Sequence, residues 1–169
     1  VDPRAGLSVV WGSVHAGGAL NVIPANGLVG GTLRVLDADV WEDAGALVSE
    51  VVHQVVAPYA VHVDIDYTRG VPPVVNAADS VDVLRDAVRM AGAVETPVRQ
   101  SLGGEDFAWY LTKIPGALAR LGTRAPEGRT YDLHQGDFSI DERAVIGGAR
   151  VLAGAVVAAA TRARGGVPS

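Results

Sequence analysis

The chain has 169 residues, of which 49% are hydrophobic and 20% charged, and a net charge of −5. That composition fits one ordinary soluble domain or two small ones and excludes a disordered chain, while an acidic balance without a basic stripe argues against nucleic-acid binding. With no cysteine, disulfides and thiolate metal sites are excluded.

Residues 7–14 (LSVVWGSV) are rich in β-formers and predict a strand, followed by a loop at His15-Ala16-Gly17-Gly18. Asn21-Val22-Ile23-Pro24 leads into Asn26-Gly27, a turn dipeptide suited to positive φ. Residues 28–36 predict a second strand, with Gly30, Thr32 and Arg34 on one face. Asp37 or Asp39 can cap the next helix, whose apolar residues Val40, Ala44, Leu47, Val48, Val51, Val52 and Val55 fall at helical spacing. Val61, Val63, Ile65 and Tyr67 then alternate with His62, Asp64 and Asp66, as in a half-buried strand. The three strands are expected in one antiparallel sheet with the helix on one face.

Residues 70–76 (GVPPVVN) break the pattern, because proline donates nothing to a ladder and restricts its predecessor. They suggest a boundary between domains at 1–76 and 77–169. Beyond them the sequence predicts a helix at 80–91, a short strand at 97–102, a helix at 105–113 and a strand at 117–122. A polar loop at 123–131 and a long helix at 141–162 follow, with Gly165-Gly166 as a stop. The apolar run 144–161 is interrupted by Arg150 and falls short of the roughly 20 residues of a membrane span, so a buried core helix is expected and no membrane partner. The fold class is α/β.

Three groups of residues are candidates for chemistry. His134 follows Asp132-Leu133, and a neutral imidazole at a strand end suits a metal; a lone histidine with no spacing partner also reads as a hydrogen-bonded surface residue. Gly103-Gly104-Glu105-Asp106 lets a backbone approach a ligand at a helix start, and equally reads as a glycine turn before acidic first-turn residues. Asn21 and Arg34 offer an amide for an oxyanion and a guanidinium fork for a carboxylate, or are a turn residue and a solvated strand residue. His15 could line a cleft, whereas His53 and His62 read as exposed. Dinucleotide, P-loop and Gly-x-Ser-x-Gly fingerprints are absent.

Ser101-Leu102-Gly103-Gly104-Glu105-Asp106-Phe107, Leu133-His134 before Phe138 and Ile140-Asp141-Glu142, Asn21-Val22-Ile23-Pro24, and Gly31-Thr32-Leu33-Arg34 together resemble the motifs of a known group of enzymes, in the same order along the chain. Over most of its length the chain resembles the zinc-dependent amidohydrolases of the aminoacylase–carboxypeptidase type, which include N-acyl-amino-acid amidohydrolases, hippurate hydrolases and auxin-conjugate hydrolases. The resemblance implies a partial lid or dimerisation domain, ferredoxin-like but lacking its first βα, joined to the C-terminal part of an α/β zinc-hydrolase sandwich. It implies that Val1 falls inside the lid, and that the first strand, which would lie between the third and fourth, is missing.

The implied reaction is metal-dependent hydrolysis of the amide bond of N-acyl amino acids or related small, dipeptide-like amides. Asn21 would stabilise the oxyanion, and Arg34, Gly103, Gly104 and Glu105 would bind substrate. His134 would be one ligand of a pair of divalent metal ions, most simply zinc; the other ligands and the general base would lie upstream. The chain alone is then expected to be inactive and to hold no metal stably. A homodimer through the lid is implied. The lack of an export signal leans to a cytoplasmic protein, and one lysine against thirteen arginines, with abundant Ala, Val and Gly, leans to a GC-rich bacterial genome. The alternative is a non-catalytic α/β binding or dimerisation module that keeps the scaffold without a complete metal site.

Overall fold

The computed structural model describes residues 6–98 and 100–165. Its elements are β1 (Ser8–Ala16), β2 (Gly27–Arg34), α1 (Ala38–Val56) followed by a single 3-10 turn (Ala57–Tyr59), α2 (Ala78–Met90), α3 (Ala108–Leu111) and α4 (Arg143–Gly165). The fold is mixed α/β. Two compact units emerge: one runs to Val75 and takes in Ser101–Trp109, and the other joins Asn76–Gln100 to the chain from Tyr110 onward.

In the first unit β1 and β2 form an antiparallel hairpin, with Ser8 opposite Arg34 at one end and Ala16 opposite Gly27 at the other. The register shifts between Trp11 and Ser13, so Gly12 is taken up as a bulge. Asp37 caps α1 as its sequence suggested: the carboxylate accepts from the Asp39 N–H at 2.9 Å and the Val40 N–H at 3.1 Å. Ala44, on the inner face of α1, is fully buried.

The strand expected at 61–68 does not join this sheet, since the described residues form a single two-stranded sheet of β1 and β2. Alternation survives in its side chains, where His62 Nε2 lies 3.2 Å from Asp64 Oδ1, two residues on. A strand, however, is defined by a neighbour's backbone, and among the described residues none pairs with this segment. The segments expected as strands at 97–102 and 117–122 likewise carry no ladder at their described residues. At the latter a side chain takes the neighbour's place: Asn76 Oδ1 accepts from the Leu118 N–H at 2.8 Å, and Asn76 Nδ2 donates to the Leu118 carbonyl at 3.5 Å.

In the second unit α2 packs on α4 through small residues. A side chain on Gly154 would come within 3.2 Å of the Ala87 backbone, so glycine sets how closely the helices approach. Ala87 and Ala158 are buried there. One ion cluster joins the two helices: Arg162 donates to Asp86 Oδ2 from Nε at 3.0 Å and from Nη2 at 2.6 Å, while Arg89 reaches the other oxygen. The expectation of a buried core helix at 144–161 holds only in part, because α4 buries one stripe, at Gly154 and Ala158, and leaves its other side open. Leu152 and Val156, off that stripe, are 69% and 71% exposed. By length and composition alone, Arg143–Arg164 could cross a membrane.

Candidate functional site

In the first unit the segment Ser101–Trp109 is tied down at several points. Ser101 Oγ accepts from the Gly103 N–H at 3.1 Å, closing a side-chain turn over the glycines. Arg34, at the end of β2, donates from Nη1 to the Leu102 carbonyl at 2.7 Å. A Cβ on Gly104 would come within 2.9 Å of Val71 Cγ2, so glycine is what lets this backbone lie against Val71. Glu105 opens the next turn: its carbonyl accepts from the Ala108 N–H at 3.0 Å and its carboxylate from the Phe107 N–H at 3.4 Å. The helix expected at 105–113 narrows to the four residues of α3, entered through this turn.

Three residues that sequence reasoning passed over complete the arrangement. Trp109, four residues after Glu105, meets Trp41 edge-to-face at 5.9 Å between ring centroids and 75° between planes. Arg69 lies with its guanidinium carbon 4.9 Å from the centre of the Trp41 ring and donates from Nη2 to the Glu42 carbonyl at 2.7 Å. The sequence carried one available signal, a tryptophan in the first turn of α1 and another one turn beyond the Gly-Gly-Glu.

Arg34 is therefore brought to the glycine turn, and Asn21 is not brought to Arg34. Asn21 lies in the exposed turn between β1 and β2, at the end of the hairpin remote from Arg34. At about 3.3 Å per residue, β2 alone sets those ends roughly 23 Å apart. His15 is on β1, close to the same loop, and is exposed; His53 and His62 are exposed as expected.

In the second unit, His134 does not sit at a strand end. It lies in an exposed turn with φ of 66°, a left-handed conformation uncommon for residues other than glycine. The turn is flanked by an ion pair between Arg129 and Asp137 at 2.7 Å, and Arg129 also lies 5.0 Å over the Tyr131 ring. The Phe138 N–H bonds to the Gln135 carbonyl at 3.1 Å. Farther along, the Arg143 guanidinium and then its backbone N–H hold the Asp141 carboxyl below the usual carboxylate range, against a smaller opposing effect of burial.

No group of three or more His, Asp or Glu side chains among the described residues is placed to hold a metal ion. A catalytic zinc takes three protein ligands and a water, so the residues present do not by themselves fit one.

Residues 7–158 match peptidase family M20/M25/M40. A Rhodococcus jostii (strain RHA1) protein provisionally named glutamate–cysteine ligase 2-3 is 43% identical over 154 residues, which make up 90% of this chain and 19% of that protein. The N-acetyl-L-cysteine deacetylase of Bacillus subtilis (strain 168) is 32% identical over 146 residues, 86% of this chain and 34% of the enzyme. Among solved structures, the Bacillus subtilis YXEP protein, described as a dinuclear metal binding peptidase from the M20 family, is similar with a TM-score of 0.81 at 28% identity. That likeness covers 90% of this chain and 42% of the other. The chain thus spans between 19% and 42% of the length of these three proteins.

Proposed function

The chain belongs to peptidase family M20/M25/M40, and we propose that it is part of a metal-dependent amidohydrolase acting on small N-acyl amino acids. The observation that carries this reading is the family match over residues 7–158, which takes in every candidate site residue. One relative is named an N-acetyl-L-cysteine deacetylase, at 32% identity, and another an N-acetyldiaminopimelate deacetylase, at 30%. We therefore put N-acetyl-L-cysteine first among the substrates. Water adds to the amide carbonyl, the C–N bond breaks, and a proton passes to the leaving amine, giving a carboxylate and a free amino acid.

In this reading the Arg34 guanidinium binds the substrate carboxylate. Its Nη1 already holds the Leu102 carbonyl, and the other donors of the fork remain to take a carboxylate. The glycine turn gives the substrate a close backbone approach, with Glu105 beside it. His134 would be one ligand of a divalent metal, zinc by preference, although the described residues do not complete its ligand set. The metal would supply Lewis acidity and an activated water.

Asn21 would donate to the oxyanion. Its place at the far end of β2 from Arg34 favours a homodimer in which a second copy's hairpin loop reaches the site. The hairpin also leaves Trp11, Val14 and Leu28 more than half exposed, a surface suited to association. None of the proteins compared favours the non-catalytic module.

The test is hydrolysis of N-acetyl-L-cysteine, hippurate and N-acetyldiaminopimelate by the full-length protein that carries this chain, before and after chelation. Metal-dependent release of the amino acid is expected. No turnover of any of the three in a folded, metal-replete protein would reject the reading. Mixing Asn21→Ala with Arg34→Ala subunits should restore activity if the two residues act from different copies; no recovery in confirmed mixed dimers would put them on the same copy.

A further inference from the structure

We infer that Trp41, held in place by Arg69, is a positioning residue for Glu105 and the glycine turn before it. The inference rests on the proposed amide hydrolysis and names a determinant of that same site. It follows from a continuous run of contacts within the first unit. Arg69 donates to the Glu42 carbonyl at 2.7 Å, which anchors it to α1, and its guanidinium lies over the ring of Trp41. Trp41 in turn meets Trp109 edge-to-face, with ring centroids 5.9 Å apart. The Trp109 N–H bonds back to the Asp106 carbonyl at 3.1 Å, and the neighbouring Ala108 N–H to the Glu105 carbonyl at 3.0 Å. Ala108, between them, is 1% exposed, so this turn cannot swing without opening a packed contact.

Glu105 itself is exposed, and among the described residues its carboxylate accepts only the long bond from the Phe107 N–H. Local bonding therefore does little to aim the carboxylate; the turn that carries it is held on one side by Arg34, Ser101 and Gly104 and on the other by the aromatic pair. Edge-to-face indoles are directional, because the positive ring edge seeks a negative face. A cation over the same ring adds to this, and both contacts lie well within the range where they act. A shift of about 1 Å in a substrate-binding group is enough to slow a reaction markedly. Trp41 and Arg69 touch neither substrate nor reacting atoms in this scheme; they act through Glu105.

A double-mutant cycle in the full-length, metal-loaded enzyme separates positioning from mere packing. Trp41→Ala should lower kcat/KM for hippurate about tenfold in the wild-type background and less than about twofold in Glu105→Gln, because a residue that acts through Glu105 has nothing left to aim. Trp41→Phe, which keeps an aromatic partner for Trp109 and Arg69, should recover most of the loss. Arg69→Ala should reproduce part of it with the fold intact by circular dichroism, and serves in place of Trp41→Ala if that variant does not fold. Equal losses in both backgrounds, or no rescue by phenylalanine, would overturn the inference.

A second readout needs no turnover. Hippurate should alter the exciton couplet of the indole pair in the wild type and leave it unchanged in Glu105→Gln. An enzyme that hydrolyses nothing yet shows this Glu105-dependent response would reject the proposed reaction and keep the coupling. An active enzyme whose couplet ignores hippurate would keep the reaction and reject the coupling.

Discussion

Arg34 Nη1 donates to the Leu102 carbonyl at 2.7 Å, joining the end of β2 to the threshold of the Gly103-Gly104 turn across 68 residues of chain. One guanidinium thus meets the backbone of the turn while keeping donors to spare. The side chain proposed to bind the substrate carboxylate also helps to set the glycine turn.

Arg34→Lys should therefore damage two things at once. An ammonium cannot reproduce the planar fork, so kcat/KM for carboxylate-bearing amides should fall by at least about tenfold in the full-length enzyme. Amide hydrogen exchange at residues 102–105 should quicken in the same variant. Slower turnover with unchanged exchange would leave the carboxylate role without the tether.

Gly104→Ala should crowd Val71, whose Cγ2 stands 2.9 Å from the added methyl. Overpacking of this kind costs about 1 kcal/mol or more. Urea unfolding should register the loss, and Val71→Ala in the same protein should restore most of it. A Gly104→Ala protein as stable as wild type would mean that Val71 turns aside freely.

The cluster joining α2 to α4 should make the second unit sensitive to acid. Arg162's hydrogen bond lowers the Asp86 pKa; desolvation opposes it, and charge attraction from Arg162 and Arg89 adds to the lowering. A carboxyl depressed on folding contributes stability that is fully present above its unfolded pKa, about 3.9, and is lost as pH falls through its lower folded value. Asp86→Asn should be less stable than wild type at neutral pH, and the difference should shrink as pH drops below about 4. Thermal melts across that window check the sign, and a difference independent of pH would remove the linkage.

His134 carries a left-handed backbone at φ 66°. Glycine adopts this conformation freely, so His134→Gly should be more stable than His134→Ala by about 1 kcal/mol. If the imidazole ligates metal, both variants should lower the metal content of the full-length protein equally. Full metal occupancy in both would remove His134 from the ligand set.

Residues 1–169 alone should hydrolyse no N-acyl amino acid and should bind zinc weakly, since no three potential ligands converge among the described residues. Zinc titration by calorimetry with a hippurate assay is the check. Zinc-dependent turnover that vanishes in His134→Ala would show that the chain carries a complete site.

What could be read along the chain was whatever depends on near neighbours. Asp37 caps α1 because a short carboxylate reaches the free N–H groups two and three residues on, and the apolar spacing of α1 and α2 repeats with the turn of a helix. The motifs around Arg34, Gly103 and His134 likewise declared the family, because each is a short run of residues.

Pairing and convergence were decided only by the folded chain. Residues 61–67 alternate as a strand should, yet alternation records which face is apolar and says nothing of whether a backbone lies alongside. Asn76 serving Leu118, and Trp41 meeting Trp109, join positions far apart in sequence, and no local pattern encodes such contacts. The separation of Asn21 from Arg34 is of the same kind. Thirteen residues make them neighbours on paper, and the extended backbone of β2 holds them at opposite ends of a hairpin.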